Sequence, residues 1–351
     1  MWQVLGQNRA IDLLQRSLKT GTLAHAYLFV GPPHIGKMTL AVNLAQALNC
    51  EGAGLPCGEC LSCQKVAQGK HVDVQVISLA QDTDEVGAKS RAEISIEQIR
   101  QLQHSASLPP FEGKYKVFII DGAESLSIEA ANCLLKTLEE PVGKVVFILL
   151  TINERLLPAT VVSRCQRVEL LRSAPSEIEV ALMNNWSVEP QKAKLLARLS
   201  HGCLGWAVRA IDNDSLEERA GRLDELVDIL DAGNEERFAY SAQLVNEFNQ
   251  HREVVQERLD LWLDWWHDLL LVKTGSGNIV TNIDRLDALT DIAKGYNLSQ
   301  IRDFIENIRV AGNQLRLNAN PQLVFEVLML SIPEAEKRGA GRAAQIEVNH
   351  G

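Results

Sequence analysis

The sequence predicts an α/β fold, a parallel sheet with helices on both faces, followed by an all-helical second half. Short apolar strands alternate with helical runs from Leu5 to about Leu171, and apolar residues recur at helical spacing from Ser215 onward. The chain has 351 residues, more than the roughly 250–300 at which a single hydrophobic core stops growing. We therefore expect two or three domains.

Composition and charge narrow the classes of function. Hydrophobic residues make up 46% and charged residues 23%, as in an ordinary globular protein. No apolar run reaches the ~18 residues of a membrane helix, and the first residues lack the pattern of a secretory signal, so we expect a cytoplasmic protein without a membrane partner. The net charge is −10, and residues 171–351 carry 19 basic against 28 acidic side chains. This acidity disfavours a cationic nucleic-acid binder.

A glycine-rich loop follows the first strand. The stretch HAYLFV at 25–30 precedes GPPHIGKMT and the helical run LAVNLAQALN. Gly31, Gly36 and Lys37 fit the Walker A pattern, in which backbone N–H groups hold phosphates and the lysine reaches the β- and γ-phosphates. The hydroxyl that should follow the lysine and hold Mg²⁺ is replaced by Met38, and Thr39 lies about 100° further round the helix. A glycine-rich helix start arising by chance is the alternative.

The strand KVFIID at 116–121 ends in a carboxylate, as in the Walker B pattern. Asp121 alone could equally cap a strand end, so its assignment depends on the Walker A loop. The carboxylate that orients the attacking water is normally the next residue, and here that residue is Gly122. We do not expect Glu124, two positions further, to replace it. The sequence therefore predicts no efficient ATP turnover.

Four of the seven cysteines are clustered at the spacing C-x6-C-x2-C-x2-C: Cys50, Cys57, Cys60 and Cys63. Four thiolates this close in sequence can form a tetrahedron around a zinc ion, with sulfur at about 2.3 Å. A redox pair and four unrelated buried thiols are the alternatives. Because four protein ligands leave no position for water, we expect a structural zinc module, inserted after the first helix of the core.

These features resemble the AAA+ clamp-loader subunits of bacterial DNA polymerase III over nearly the whole chain. The segments that carry the resemblance are V-x-G-Q at 4–7, HAYLFVGP at 25–32, the cysteine module at about 50–63, AANCLLKTLEEP at 130–141, Ser163-Arg164-Cys165, WLDWWHDLLL at 262–271 and RLNANPQL at 316–323. The resemblance implies an AAA+ core at 1–171, a helical lid at 172–212, a helical collar for oligomerisation at 213–333 and a flexible tail at 334–351. Within the core, we expect the polar stretch at 81–93 to be a solvated loop.

The resemblance also implies roles for individual residues. Arg164 corresponds to an arginine finger that reaches the nucleotide site of a neighbouring subunit, where comparable fingers raise the rate about 10³–10⁵-fold. An ordinary surface ion pair is the alternative. Thr151 falls at the sensor-1 position, while Gly205 stands where motor subunits carry the sensor-2 arginine. The candidate nucleotide contacts are Gly31, Gly36, Lys37, Thr39, Asp121 and Thr151.

The sequence thus predicts a non-hydrolysing clamp-loader subunit. It would act as a stator with gamma/tau and delta subunits while the assembly loads the sliding clamp on primed DNA. We predict no intrinsic catalysis, expect zinc as the metal, and leave binding of ATP or ADP open. The alternatives are an active ATPase motor of the gamma/tau kind and a stand-alone zinc-dependent DNA binder, and the acidic total disfavours the latter.

Overall fold

The computed structural model describes residues 2–52, 55–79, 93–140, 143–212 and 214–335. The predicted loop at 81–93 and the predicted tail at 334–351 lie almost wholly outside these ranges. Within the described ranges, no helix is long and apolar enough to cross a membrane.

Five parallel strands form the sheet. They are β1 (Ala26–Val30), β2 (Val74–Ile77), β3 (Lys116–Asp121), β4 (Val145–Thr151) and β5 (Gln166–Glu169). Their order in space is β2-β3-β4-β1-β5, and every pair of neighbours is parallel. β1 and β4 are buried along their whole length, as expected for central strands covered on both faces. The structure thus confirms the predicted parallel sheet.

Helices cover both faces of this sheet. They are α1 (Asn8–Thr20), α2 (Lys37–Asn49), α3 (Leu61–Ala67), α4 (Ile96–Ala106), α5 (Ile128–Glu139), α6 (Ala159–Val162) and, later in the chain, α9 (Leu204–Arg209). The helix α7 (Pro175–Trp186) follows β5. Side chains alternate between the two faces of a strand, so each face has its own core. On one face Leu14 of α1 and Leu40 of α2 pack with Phe29; on the other, Leu134 of α5 packs with Leu28.

The cysteine module lies between α2 and β2 and ends in α3. Gln46 of α2 donates to the carbonyl of Cys63 (2.9 Å), and Lys114, just before β3, donates to the carbonyl of Cys50 (2.5 Å). The module is therefore attached to the sheet on two sides, at the end of one helix and at the start of one strand.

A single buried carboxylate holds the loop that precedes β3. Asp73 is 2% exposed and accepts the backbone N–H groups of Phe111 (2.8 Å), Glu112 (2.8 Å) and Gly113 (2.7 Å). Burial alone would raise the pKa of Asp73, but these three donors together with His71 keep it below its ordinary value. The loop is fixed in this way although the side chain of Phe111 at its tip is exposed.

The chain divides into two compact units. The first comprises Met1–Trp186 and Ser200–Val208, and the second comprises Ser187–Leu199 and Arg209–Gly351. The predicted lid at 172–212 therefore supplies residues to both units, with α7 in the first and α8 (Pro190–Leu199) in the second. The boundaries at 171 and 212 stay a prediction.

The second unit is helical, as predicted. After α8 its helices are α10 (Ser215–Asp231), α11 (Asn234–Gln250), α12 (Arg252–Lys273), α13 (Leu286–Ala293), α14 (Leu298–Arg316) and α15 (Pro321–Leu330). Trp262, Trp265 and Trp266 of α12 are fully buried, and the ring of Trp266 lies 5.3 Å from that of Tyr296 and 4.6 Å from that of Phe304. The apolar stripe of α12 is thus core, as expected, while a collar role stays a prediction.

Candidate functional site

The loop between β1 and α2 is packed tightly against three other segments of the first unit. A Cβ atom at Gly31 would meet the carbonyl oxygen of Leu170 at 2.9 Å, and one at Gly36 would meet Val4 at 2.9 Å. Gly36 also has a φ of 102°, in the region that favours glycine. Both glycines of the predicted phosphate loop are therefore required by the packing around it.

Lys37 is folded back over its own loop. Its Nζ donates to the carbonyl oxygens of Gly31 (2.5 Å) and Pro32 (2.8 Å). Burial lowers the pKa of Lys37, and the nearby carboxylates of Glu124 and Asp121 oppose that shift. The lysine thus lies where the Walker A pattern places it, with its donors turned to the loop itself.

The position that should hold Mg²⁺ offers no hydroxyl. Met38 is partly buried and packs against the core with the residues under the loop, while Thr39 is exposed. A thioether is a poor ligand for a hard cation, so the carboxylate of Asp121, at the end of β3, is the hard donor that remains from the two predicted motifs.

Glu124, which we did not expect to replace the missing carboxylate, lies close enough to Lys37 to interact with it electrostatically. Gly122, with φ 72°, turns the chain after β3 into a single 3₁₀ turn at Ala123–Ser125. Glu124 Oε1 then accepts the N–H of Ile152 (3.4 Å), while its Oε2 is buried without a hydrogen-bond partner. The positive φ of the glycine is what directs this carboxylate toward the lysine, and glycine at 122 was the available signal.

Thr151 lies beside the loop, and its sensor-1 role stays a prediction. It is the last residue of β4, is 1% exposed, and its carbonyl accepts the N–H of Gly31 (3.2 Å). Its hydroxyl donates to the carbonyl of Asn153 and accepts the N–H of the same residue, both at 3.2 Å. The hydroxyl is therefore turned to its own strand end.

Gly205 makes the closest contact with the loop. Its N–H donates to the carbonyl of His34 (3.0 Å), and a Cβ atom at this position would meet that oxygen at 2.6 Å. Neighbouring Cys203 is buried in the same core as the loop, and burial raises the pKa of its thiol. A side chain at 205 does not fit this arrangement, so the close approach of the two backbones requires glycine here.

Arg164 lies just after α6 and is not part of the loop. Its Nη1 donates to the carbonyl of Thr160 (2.8 Å) and to Ser163 Oγ (3.4 Å), and its Nη2 forms an ion pair with Glu139. The side chain is 33% exposed. The structure thus brings Gly31, Gly36, Lys37, Asp121 and Thr151 to one edge of the sheet and leaves Arg164 outside this group.

The four clustered cysteines converge on one point. Their Sγ atoms all lie within 4.8 Å of one another, and those of Cys57 and Cys63 are 3.9 Å apart. Sulfurs about 2.3 Å from a tetrahedral ion are separated by about 3.8 Å, so the set fits a metal such as zinc. Cys133, Cys165 and Cys203 lie elsewhere, and within the described chain the seven cysteines form no disulfide.

Backbone groups prepare part of this cluster for a cation. The N–H groups of Cys60 and Glu59 lower the pKa of Cys57 to about 6. Burial instead raises the pKa of Cys63 to about 12. A metal cation that binds here would therefore find Cys57 readily ionised, whereas it would have to displace the proton of the buried Cys63 thiol.

The sheet order, the loop after β1 and the carboxylate at the end of β3 together define a P-loop protein of the AAA+ class. The family model described as DNA polymerase III, delta subunit, matches residues 6–174. The chain is 29% identical to the DNA polymerase III subunit delta' of Bacillus subtilis, over 93% of this chain and 96% of that protein. It is also 27% identical to subunit tau of the same organism, over 98% of this chain and 63% of that protein.

Among solved structures, the RuvB Holliday junction branch migration motor of Thermotoga maritima is similar with a TM-score of 0.41 and 17% identity, over 93% of this chain and 87% of that one. The sequence relatives support a clamp-loader subunit of DNA polymerase III, similar to delta' and tau/gamma.

Proposed function

We propose that this chain is a clamp-loader subunit of the delta-prime type, a stator that does not hydrolyse ATP and completes the site of a neighbouring ATPase with Arg164. The observation that carries the proposal is the contrast between the loop at 31–36, closed by contacts within the chain, and a finger residue that is one-third exposed. Such a subunit would assist hydrolysis without performing it.

Three positions of the chain's own site support the absence of turnover. Met38 cannot hold Mg²⁺, Gly122 cannot orient water, and Gly205 brings backbone where an arginine would lie in a motor. Each change alone would slow hydrolysis, and all three affect the chain's own nucleotide rather than that of a neighbour.

The partners belong to the same proposal. We expect gamma/tau and delta subunits beside this chain, with the sliding clamp and primed DNA contacted by the assembly, in the cytoplasm. The similarity to delta' extends over 96% of that protein, and the chain spans 63% of tau.

Replacing Arg164 by alanine in the reconstituted assembly tests the central claim. We expect the subunits to assemble and ATP turnover by the gamma/tau partner to fall by about 10³-fold, because the growing charge on the γ-phosphate loses its counterion. Arg100→Ala, at an exposed position of α4, is the control and should leave turnover unchanged. Full turnover with Arg164→Ala would refute the finger.

An active motor is the second candidate, because Lys37, Asp121 and the unexpected carboxylate of Glu124 lie close enough to interact electrostatically. Turnover by the purified chain decides between the two roles. ATP hydrolysis without partners, stimulated by primed DNA and abolished by Glu124→Gln, would establish a motor, whereas the stator hydrolyses no ATP alone.

Zinc held by Cys50, Cys57, Cys60 and Cys63 is the metal we propose, with a purely structural role. Elemental analysis of the purified chain should find one zinc per molecule, and a strong chelator should lower the melting temperature. A well-folded chain that contains no metal and is indifferent to the chelator would contradict the site.

A further inference from the structure

Glu139 is the partner that holds Arg164, and the sequence assigned it no role. It is the last residue of α5, its carboxylate is 50% exposed, and Oε1 accepts from Nη2 of Arg164. A planar guanidinium meets a carboxylate in a defined orientation, so this contact fixes the direction of the arginine as well as its charge.

A second contact fixes the guanidinium from another element. Nη1 of Arg164 donates to the carbonyl of Thr160 in α6 at 2.8 Å. The guanidinium is therefore held at two of its nitrogens by α5 and α6. These contacts restrict the long side chain of Arg164 to few rotamers. The other N–H groups of the guanidinium have no partner among the described residues.

The location of Glu139 is unfavourable for the helix that carries it. The C-terminus of a helix carries partial negative charge and favours cations, yet α5 ends in Glu139 followed by Glu140, with only Lys136 as a basic residue in its last turn. Helix stability therefore does not account for an acidic residue here. The contact with Arg164 does.

We propose that Glu139 is a positioning residue for the finger: it holds the guanidinium of Arg164 in the orientation in which it meets the γ-phosphate of a neighbouring subunit. This inference rests on the proposed function of Arg164. A positioned finger reaches the transition state without first having to be ordered, so losing Glu139 lowers the rate of the partner's reaction and not its affinity for ATP.

The test measures ATP turnover by the gamma/tau partner in the full reconstituted assembly, with Glu139→Ala, Glu139→Asp, Arg164→Ala and the double variant. Glu139→Ala should lower kcat roughly tenfold with KM for ATP unchanged, well short of the loss with Arg164→Ala. Glu139→Asp should restore part of the rate. The double variant should be no slower than Arg164→Ala alone, because Glu139 acts only through Arg164.

Glu140→Gln is the matched control, since Glu140 carries the same charge at the same helix end and, in the described part of the chain, makes no hydrogen bond or ion pair with Arg164. It should leave kcat unchanged. Equal losses with Glu139→Ala and Glu140→Gln, additive losses in the double variant, or a faster reaction with Glu139→Ala would each overturn the positioning role. If Arg164→Ala itself has no effect, the proposed function fails first; if only Glu139→Ala has none, the inference fails alone.

Discussion

The loop at 31–36, with Lys37, and the end of α6, with Arg164, belong to the same unit. They differ in the partners and the exposure of these two basic side chains. Lys37 is satisfied by carbonyls of its own loop, and the loop carbonyl of His34 is in turn capped by Gly205. Arg164 is held by one exposed carboxylate, one carbonyl and a longer contact to the hydroxyl of Ser163, and one-third of its side chain stays accessible. A site that closes on itself contributes to stability, whereas one that stays accessible is available to another molecule.

If this comparison is correct, the largest effect on stability comes from Gly205→Ala. The added Cβ would lie 2.6 Å from the carbonyl oxygen of His34, so the first turn of α9 or the loop must move, at a cost of about 1–3 kcal/mol. Urea unfolding of the purified chain measures it. Gly221→Ala, in α10 with open space around it, is the control and should stabilise by about 0.5–1 kcal/mol. An unchanged Gly205→Ala variant would mean that the loop is not closed.

A smaller loss is expected for Lys37→Met, which keeps the length of the side chain and removes the two hydrogen bonds. We expect about 1–2 kcal/mol at neutral pH, since two loop carbonyls lose a charged donor. A Lys37→Met variant as stable as the natural chain would show that the lysine is free to reach a ligand.

The pH dependence of that loss has a definite sign. Burial lowers the pKa of Lys37 in the folded chain below its ordinary value of 10.5. At pH values between the folded-state pKa and 10.5, the folded chain therefore binds fewer protons than the unfolded chain. Stability due to Lys37 therefore rises with pH in this interval. The difference in unfolding free energy between the natural chain and Lys37→Met should widen as pH increases toward 10.5, and a narrowing difference would contradict the burial.

The smallest effect on stability is expected for Arg164→Ala. Exposed ion pairs contribute about 0.2–1 kcal/mol, so the unfolding free energy should change by no more than about 1 kcal/mol. By contrast, the same substitution is expected to have a large effect on ATP turnover by the partner. A loss above about 2 kcal/mol would mean that Arg164 is a structural residue, and the contrast with the loop at 31–36 would disappear.

Much of the first unit could be predicted because its signals are local. The run KVFIID is β3 over its whole length, since a short apolar run that ends in aspartate is a local pattern readable from the sequence. The cysteine spacing was likewise enough to bring four sulfurs together. The second unit followed from the helical spacing around Trp262 and Trp266.

The remaining features depend on contacts between residues far apart in sequence, which neither spacing nor composition encodes. Gly205 and His34 are 171 positions apart, and their backbone contact exists only because α9 returns to the loop. Glu139 and Arg164 meet only because α5 and α6 pack together. The place of Glu124 depends on the turn that Gly122 produces after β3, which a strand pattern does not predict.

The three backbone N–H groups that donate to Asp73 restrict the movement of the loop before β3. Residues 111–113 cannot shift without breaking three bonds to one carboxylate, and Lys114 next to them grips the carbonyl of Cys50. The cysteine module and β3 are therefore connected through residues 111–114. We expect a displacement of the module to be transmitted through these residues to Lys116, the first residue of β3, which lies five residues before Asp121.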